Sequence, residues 1–144
     1  MAFQDMSRPE IDRLLDTERL VRIGFEANGE SYLVPLGFVW HQNALYAMTT
    51  RGRKTRMAAM NPRVSFQIDT SARTGPFIWH SVSGEGAFEV VTNSEELEAI
   101  LPLLASRFSD MPDWMQAEYA AKPGDMICVR IQPSQLAGRK SGPP

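Results

Sequence analysis

The sequence predicts a mainly β domain with flanking helices, and three observations point there. Segments of alternating apolar and polar residues recur from about residue 19 to residue 133, the period-two signature of half-buried strands. Asn28-Gly29 joins two of them and supplies the positive-φ pair of a two-residue hairpin. Helical signals are confined to the start of the chain, to one short segment between strands, and to residues 93–121.

The elements follow in order. Ser7 and Glu10 form an S-x-x-E capping box with Pro9 in the first turn, where a missing N–H costs nothing. Ile11, Leu14 and Leu15 then share one face, which predicts a helix from about Arg8 to Asp16. "RLVRIGFEA" (Arg19 to Ala27) sets Leu20 and Arg22 against Val21, Ile23 and Phe25, and Ser31 to Trp40 returns antiparallel. His41-Gln42-Asn43 turns the chain into a third strand, Ala44 to Thr50. Lys54 to Met60 has helical composition, with Met57 and Met60 as its buried pair, and Asn61-Pro62 ends it. Arg63 to Asp69 is a fourth strand with Val64, Phe66 and Ile68 on one face.

A polar loop, "TSARTGP", leads to a fifth strand, Phe77 to Val91, in which Gly84 and Gly86 predict a bulge or a bend. Asn93 or Ser94 caps a helix reaching Phe108, which Pro102 is expected to kink or split. A short helix over Asp113 to Ala121 stops at Pro123-Gly124, and Asp125 to Pro133 forms a sixth strand. The pattern alone leaves sandwich and barrel open. The 144 residues suit one domain over 1–144, with flexible tails expected at 1–6 and 138–144.

Composition narrows the chemistry. A formal net charge of −2 argues against a dedicated nucleic-acid binder. The single cysteine, Cys128, permits neither an internal disulfide nor a thiolate cluster. His41 and His80 are the two histidines and lack metal-site spacing. With no membrane-length apolar run and no leader-like start, the expected setting is cytoplasmic, without membrane or nucleic-acid partners.

Against that mild acidity, "TTRGRKTRMAAMNP" concentrates Arg51, Arg53, Lys54 and Arg56 within six positions. Cations this close repel each other, and they precede a helix, whose positive end favours anions. The arrangement makes physical sense around a bound anion. Thr49 and Thr50 bring hydroxyls, Gly52 permits a tight turn, Arg53 offers a planar fork and Lys54 a point charge. A phosphate monoester fits these donors. The G-x-x-x-x-G-K-[ST] spacing of triphosphate loops is absent.

Three charge-assisted contacts at ~1.5–3 kcal/mol each do not reliably exceed an association cost of ~4–15 kcal/mol. The ligand must therefore also bury an apolar part. "LVPLGFVW" is the candidate wall, because Pro35 within a strand implies an edge with free backbone groups, and Trp79 is a candidate flank.

These residues bring a family into view. The run "YLVPLGFVWHQNALYAMTTRGRKTRMAAMNPRVSFQID", followed by "SGEGAFEVV", resembles the pyridoxamine-phosphate oxidase-like flavoproteins. The resemblance implies an antiparallel Greek-key split β-barrel and a homodimer with FMN in a groove between subunits. It would give the FMN phosphate to Arg53 and Lys54, aided by Thr49 and Thr50. Val34, Pro35 and Leu36 would lie along the isoalloxazine through backbone contacts, with Trp79 reaching the flavin from the fifth strand.

The substrate-binding signature of true pyridoxamine-phosphate oxidases is not visible after Asp125, so vitamin metabolism is not expected. The layout is closer to nitroimidazole-reductase-like and actinobacterial flavin or deazaflavin reductase branches. The implied function is an FMN-dependent oxidoreductase acting on a small planar or nitroaromatic molecule. A reductase using dissociable deazaflavin, or a non-catalytic flavin or haem carrier or sensor, is the alternative. No side chain is assigned a catalytic role, and no metal is expected.

Overall fold

A computed structural model of the chain describes residues 2–143. Its strands are β1 (Phe3–Asp5), β2 (Leu20–Ala27), β3 (Glu30–Gly37), β4 (Val39–His41), β5 (Ala44–Thr50), β6 (Arg63–Asp69), β7 (Trp79–Val90) and β8 (Met126–Ser141). Its helices are α1 (Arg8–Thr17), α2 (Arg53–Met60), α3 (Ser71–Thr74), α4 (Ser94–Arg107) and α5 (Asp113–Ala120). The ladders are antiparallel and run in the order β3-β2-β6-β7-β8-β5-β4, with β1 added to β8. The sheet curls into a half-barrel. The connection through α2 carries the chain from β5, next to last in this order, back to β6 beside the β2–β3 hairpin.

Local chemistry accounts for these elements. The capping box forms as the sequence predicts: Ser7 Oγ accepts from the Glu10 N–H and Glu10 Oε1 accepts from the Ser7 N–H. Lys140 Nζ, 2.7 Å from Glu10 Oε2, holds that carboxyl down at about 2 and ties α1 to the end of β8. Asn28 and Gly29, at φ 51° and 79°, make the hairpin turn between β2 and β3. Val21, Ile23, Phe25, Val64, Phe66, Ile68 and Val82 fill the barrel interior.

A second apolar layer lies outside the barrel, where Ile100 and Leu104 of α4 cover Tyr46 and Cys128. Burial pushes the Cys128 thiol up to about 11, as suits an inert core cysteine. Within this layer the Tyr46 hydroxyl donates to Glu96 Oε2 at 2.6 Å, and Glu96 also takes Arg130 at 2.6 Å. Burial, then the Glu96 carboxylate, raises the Tyr46 phenol from 10.0 to about 12.

Because the raised form is the protonated one, the stability it contributes is complete below pH 10 and is lost as the pH climbs from there through 12. An alkaline titration followed by tyrosinate absorbance should show one phenol ionising near pH 12. Tyr46→Phe should remove that phase, and its persistence in the variant would assign the late phenol elsewhere.

Several expectations are corrected. The strand expected over Ser31 to Trp40 is two strands, because the chain changes partner there: β3 pairs with β2, and β4 pairs with β5. Phe38, fully buried, forms the corner. Pro102 does not split α4. The carbonyl it leaves unserved belongs to exposed Glu98, where water can reach it. Met57 is buried but Met60 is 57% exposed, since the inward face of α2 runs through Met57 and Ala58. Ser71–Thr74, expected as loop, is one helical turn.

The ends are not loose tails. Phe3, Gln4 and Asp5 pair with Ser141, Lys140 and Arg139, so β8 runs eight residues past the predicted end at Pro133. Met1 and Pro144 lie outside the described residues. The anticipated irregularity near Gly84 and Gly86 is a bulge. Glu85 pairs with Gln135 and Gly86 with Pro133, leaving Ser134 as the extra residue of β8.

Candidate functional site

The cationic segment begins where β5 ends. Thr49 and Thr50 pair with Ile127 and Met126 of β8. As neighbours on a strand they point to opposite faces: Thr49 follows Leu45 and Ala47 into the barrel and is 4% exposed, while Thr50 follows Tyr46 and Met48 outward. The two hydroxyls therefore do not converge on one atom.

Two backbone N–H groups of the turn are already engaged, that of Arg51 with Asp125 O and that of Gly52 with Thr55 Oγ1, both at 3.0 Å. The open donors are the next three, the N–H groups of Arg53, Lys54 and Thr55 in the first turn of α2, which have no acceptor among the described residues. Arg53 Nη2 lies 3.7 Å from Glu30 Oε2, and its guanidinium sits 4.2 Å from the centre of the Tyr32 ring. Arg51, Lys54 and Arg56 have no ion pair among the described residues. α2 thus presents its positive end and its cations beside the start of β3.

β3 is an edge strand. The Ala27–Glu30 pair closes the two-residue turn, and Phe38 N donates to Arg19 O further along. Ladder alternation therefore commits the N–H and C=O groups of Val34 and Leu36 to β2. The free edge belongs to Leu33, Pro35 and Gly37, which moves the expected backbone contacts by one residue. Pro35 falls where its missing N–H breaks no ladder bond.

Beyond this edge opens a cleft of about 730 Å³, roofed by α4, Phe108 and α5 and floored by Pro35, Leu36, Gly37 and Met48. Its size and apolar lining suit a small-molecule site. Met48 and Thr50 lie on one face of β5, two residues or ~7 Å apart, so the cleft adjoins the cationic turn.

Of the residues expected at the site, Pro35 and Leu36 line the cleft. Val34 is buried in the barrel core. Arg53 and Lys54 do not line the cleft; they open α2 at the cationic turn. Trp79 does not join them: it opens β7, pairs with Ser141 and packs against Phe3 with ring centres 6.2 Å apart. The sequence reading missed Arg19, Phe108, Met111, Met115 and Tyr119, all lining the cleft. One signal was available, the i, i+4, i+8 spacing of Met111, Met115 and Tyr119. Among the described residues, no group of His, Cys, Asp or Glu is placed to hold a metal ion, and no helix is long and apolar enough to cross a membrane.

Comparison with known proteins places this geometry. The family model described as "Pyridoxamine 5'-phosphate oxidase" matches residues 7–140. The chain belongs to this family. No curated protein sequence matches it.

Among solved structures, an FAD-binding protein from Mesorhizobium loti is 27% identical with a TM-score of 0.81, covering 99% of this chain and 100% of that one. A candidate 5-nitroimidazole antibiotic resistance protein from Bacteroides thetaiotaomicron is 14% identical, TM-score 0.73, with 97% and 89% covered. An FAD and haem binding protein from Mycobacterium smegmatis is 20% identical, TM-score 0.73, with 99% and 75% covered. The half-barrel is thus the split barrel of the pyridoxamine 5'-phosphate oxidase family, and the cleft and cationic turn are features of one of its members.

Proposed function

We propose that this chain binds a flavin mononucleotide and uses it to reduce a small planar or nitroaromatic molecule. One observation carries the reading: a helix start with open N–H donors and cations adjoins an apolar cleft along a free strand edge. A ligand with a phosphate at one end and a flat, hydrogen-bonding ring at the other matches all three. The M. loti protein, FAD-binding by its description, supports a flavin as the cofactor class.

The chain's own groups divide the work. The N–H groups of Arg53, Lys54 and Thr55, with the Arg53 and Lys54 side chains, hold the phosphate. Rotation of Arg53 off Glu30 and Tyr32 frees its fork for this. The Gly37 N–H and the Leu33 and Pro35 carbonyls offer hydrogen bonds to the ring edge, and Leu36 and Met48 exclude water from its face. A bound flavin would supply hydride or electron transfer, so no acid or base side chain is required.

In this reading a second copy of the chain completes the groove. The haem reading has less support, since neither His41 nor His80 lines the cleft.

The test is an absorbance spectrum of freshly purified protein, with the mass of whatever denaturation releases. Flavin absorption with the mass of FMN is the expected result. An FAD mass would correct the cofactor. A colourless protein that binds neither flavin nor deazaflavin on titration would overturn the reading.

A further inference from the structure

The cleft carries more than an apolar wall. Of its sixteen lining residues two are charged, Arg19 and Asp110, and they pair with each other, Arg19 Nη1 lying 2.8 Å from Asp110 Oδ1. The same Nη1 donates to Arg107 O at 3.3 Å. The guanidinium sits 5.8 Å from the centre of the Phe108 ring. That ring is seated on Gly37 so closely that a Cβ there would meet it at 2.8 Å. A carboxylate and an aromatic face thus lie beside Arg19 at the solvent-facing rim of the cleft, the Asp110 side chain being 65% and the Arg19 side chain 48% exposed. Its Nε and Nη2 make no hydrogen bond among the described residues, which leaves three N–H donors to offer.

The electrostatics of the pair define what those donors accept. Asp110 cancels the charge of Arg19, so an incoming group gains directed hydrogen bonds without net ionic attraction. A carbonyl or nitro oxygen on a flat ring would satisfy the donors, and Phe108, Pro35, Met115 and Tyr119 line the same cleft to receive the ring. A carboxylate would approach the same guanidinium with the Asp110 carboxylate already in place, and like charges at that range repel.

We infer that Arg19 is the specificity-determining donor of a substrate subsite in this cleft, and that Asp110 tunes it to neutral flat rings bearing an acceptor oxygen over their carboxylated analogues. The inference rests on the flavin reading only for what happens to the molecule once bound.

The experiment is equilibrium dialysis of the purified protein, with whatever cofactor it carries, against 4-nitroacetophenone and 4-nitrobenzoate, which share a ring and differ in charge. The native chain should bind the neutral probe at least tenfold more tightly. Asp110→Asn should tighten 4-nitrobenzoate at least tenfold and leave 4-nitroacetophenone nearly unchanged. Arg19→Gln should weaken the neutral probe about tenfold, with partial recovery in Arg19→Lys. Where turnover is measurable, the Arg19→Gln loss should fall on KM and not on kcat.

A folded Asp110→Asn protein, checked by circular dichroism, whose probe preference matches the native one would overturn the assignment. Flavin content is read by absorbance on the same samples. Flavin present with unchanged preference in Asp110→Asn defeats the subsite alone. The expected switch in a chain that takes up no flavin supports the subsite and defeats the flavin reading.

Discussion

Gly84→Ala is expected to lower the melting temperature by about 6–12 °C, the equivalent of ~3 kcal/mol in a domain of this size. An added Cβ would lie 2.3 Å from the backbone carbonyl of Gln135 and 2.6 Å from the Phe66 ring. The first is main chain of a paired strand and the second belongs to the core, so neither can simply swing away. Gly84 sits beside the bulge at Ser134. Gly124→Ala is the control, because a Cβ there meets nothing within 4 Å. Thermal melts of the two variants decide the matter. Equal melting temperatures would mean that the β7–β8 contact is looser than described.

The second large effect concerns the cationic turn. Arg53→Ala combined with Lys54→Ala is expected to weaken FMN binding at least tenfold while the melting temperature of the flavin-free protein stays within a few degrees. Two charge-assisted contacts would be worth ~3–6 kcal/mol if fully desolvated. The Arg53 side chain is 48% exposed, so solvent screening reduces that figure. Tenfold, ~1.4 kcal/mol, is the conservative floor. The removed contacts to Glu30 and Tyr32 are a surface ion pair and a cation–π contact, each worth ~1 kcal/mol or less at an exposed site. Titrating flavin fluorescence against both proteins measures the difference, and raising the salt concentration should narrow it. Undiminished affinity in a folded double variant would remove the phosphate from this turn.

The sequence made legible those parts of the fold that local chemistry decides. The capping box, the Asn28-Gly29 turn, the inward faces of β2 and β6 and the irregularity at Gly84 and Gly86 depend on residues adjacent along the chain. Partner exchange does not. Nothing near Gly37 or Val39 announces that the strand leaves β2 for β5, because the cause is the burial of Phe38 and the seating of Phe108, which lies seventy positions away.

Pro133 reads as a terminator in the same way. It is tolerated because β5 has stopped pairing at Ile131 and β1 has yet to begin, so that side of β8 is an edge there. At the site, charge density exposed the cationic turn, and Pro35 exposed the free edge. Arg19 and Phe108 were hidden because their role comes from where α4 and α5 fold back over β3, a long-range outcome without a local pattern.

The placement of β8 also bears on how the molecule comes to exist. It is the last strand along the chain, yet it joins β7 to β5 and pairs with β1 at the opposite end of the sequence. Until it arrives, no ladder connects the β4–β5 ribbon to the other strands. Sixteen residues take ~1–3 s to synthesise at ~5–20 residues per second, and the non-local pairing that follows is of the slow kind. Through that interval the apolar edge of β5 stands open to strands of other chains. Yield during expression should therefore depend on elongation and crowding more steeply than the stability of the finished barrel suggests, and a chain cut before Met126 gives an aggregating strand edge instead of a smaller barrel.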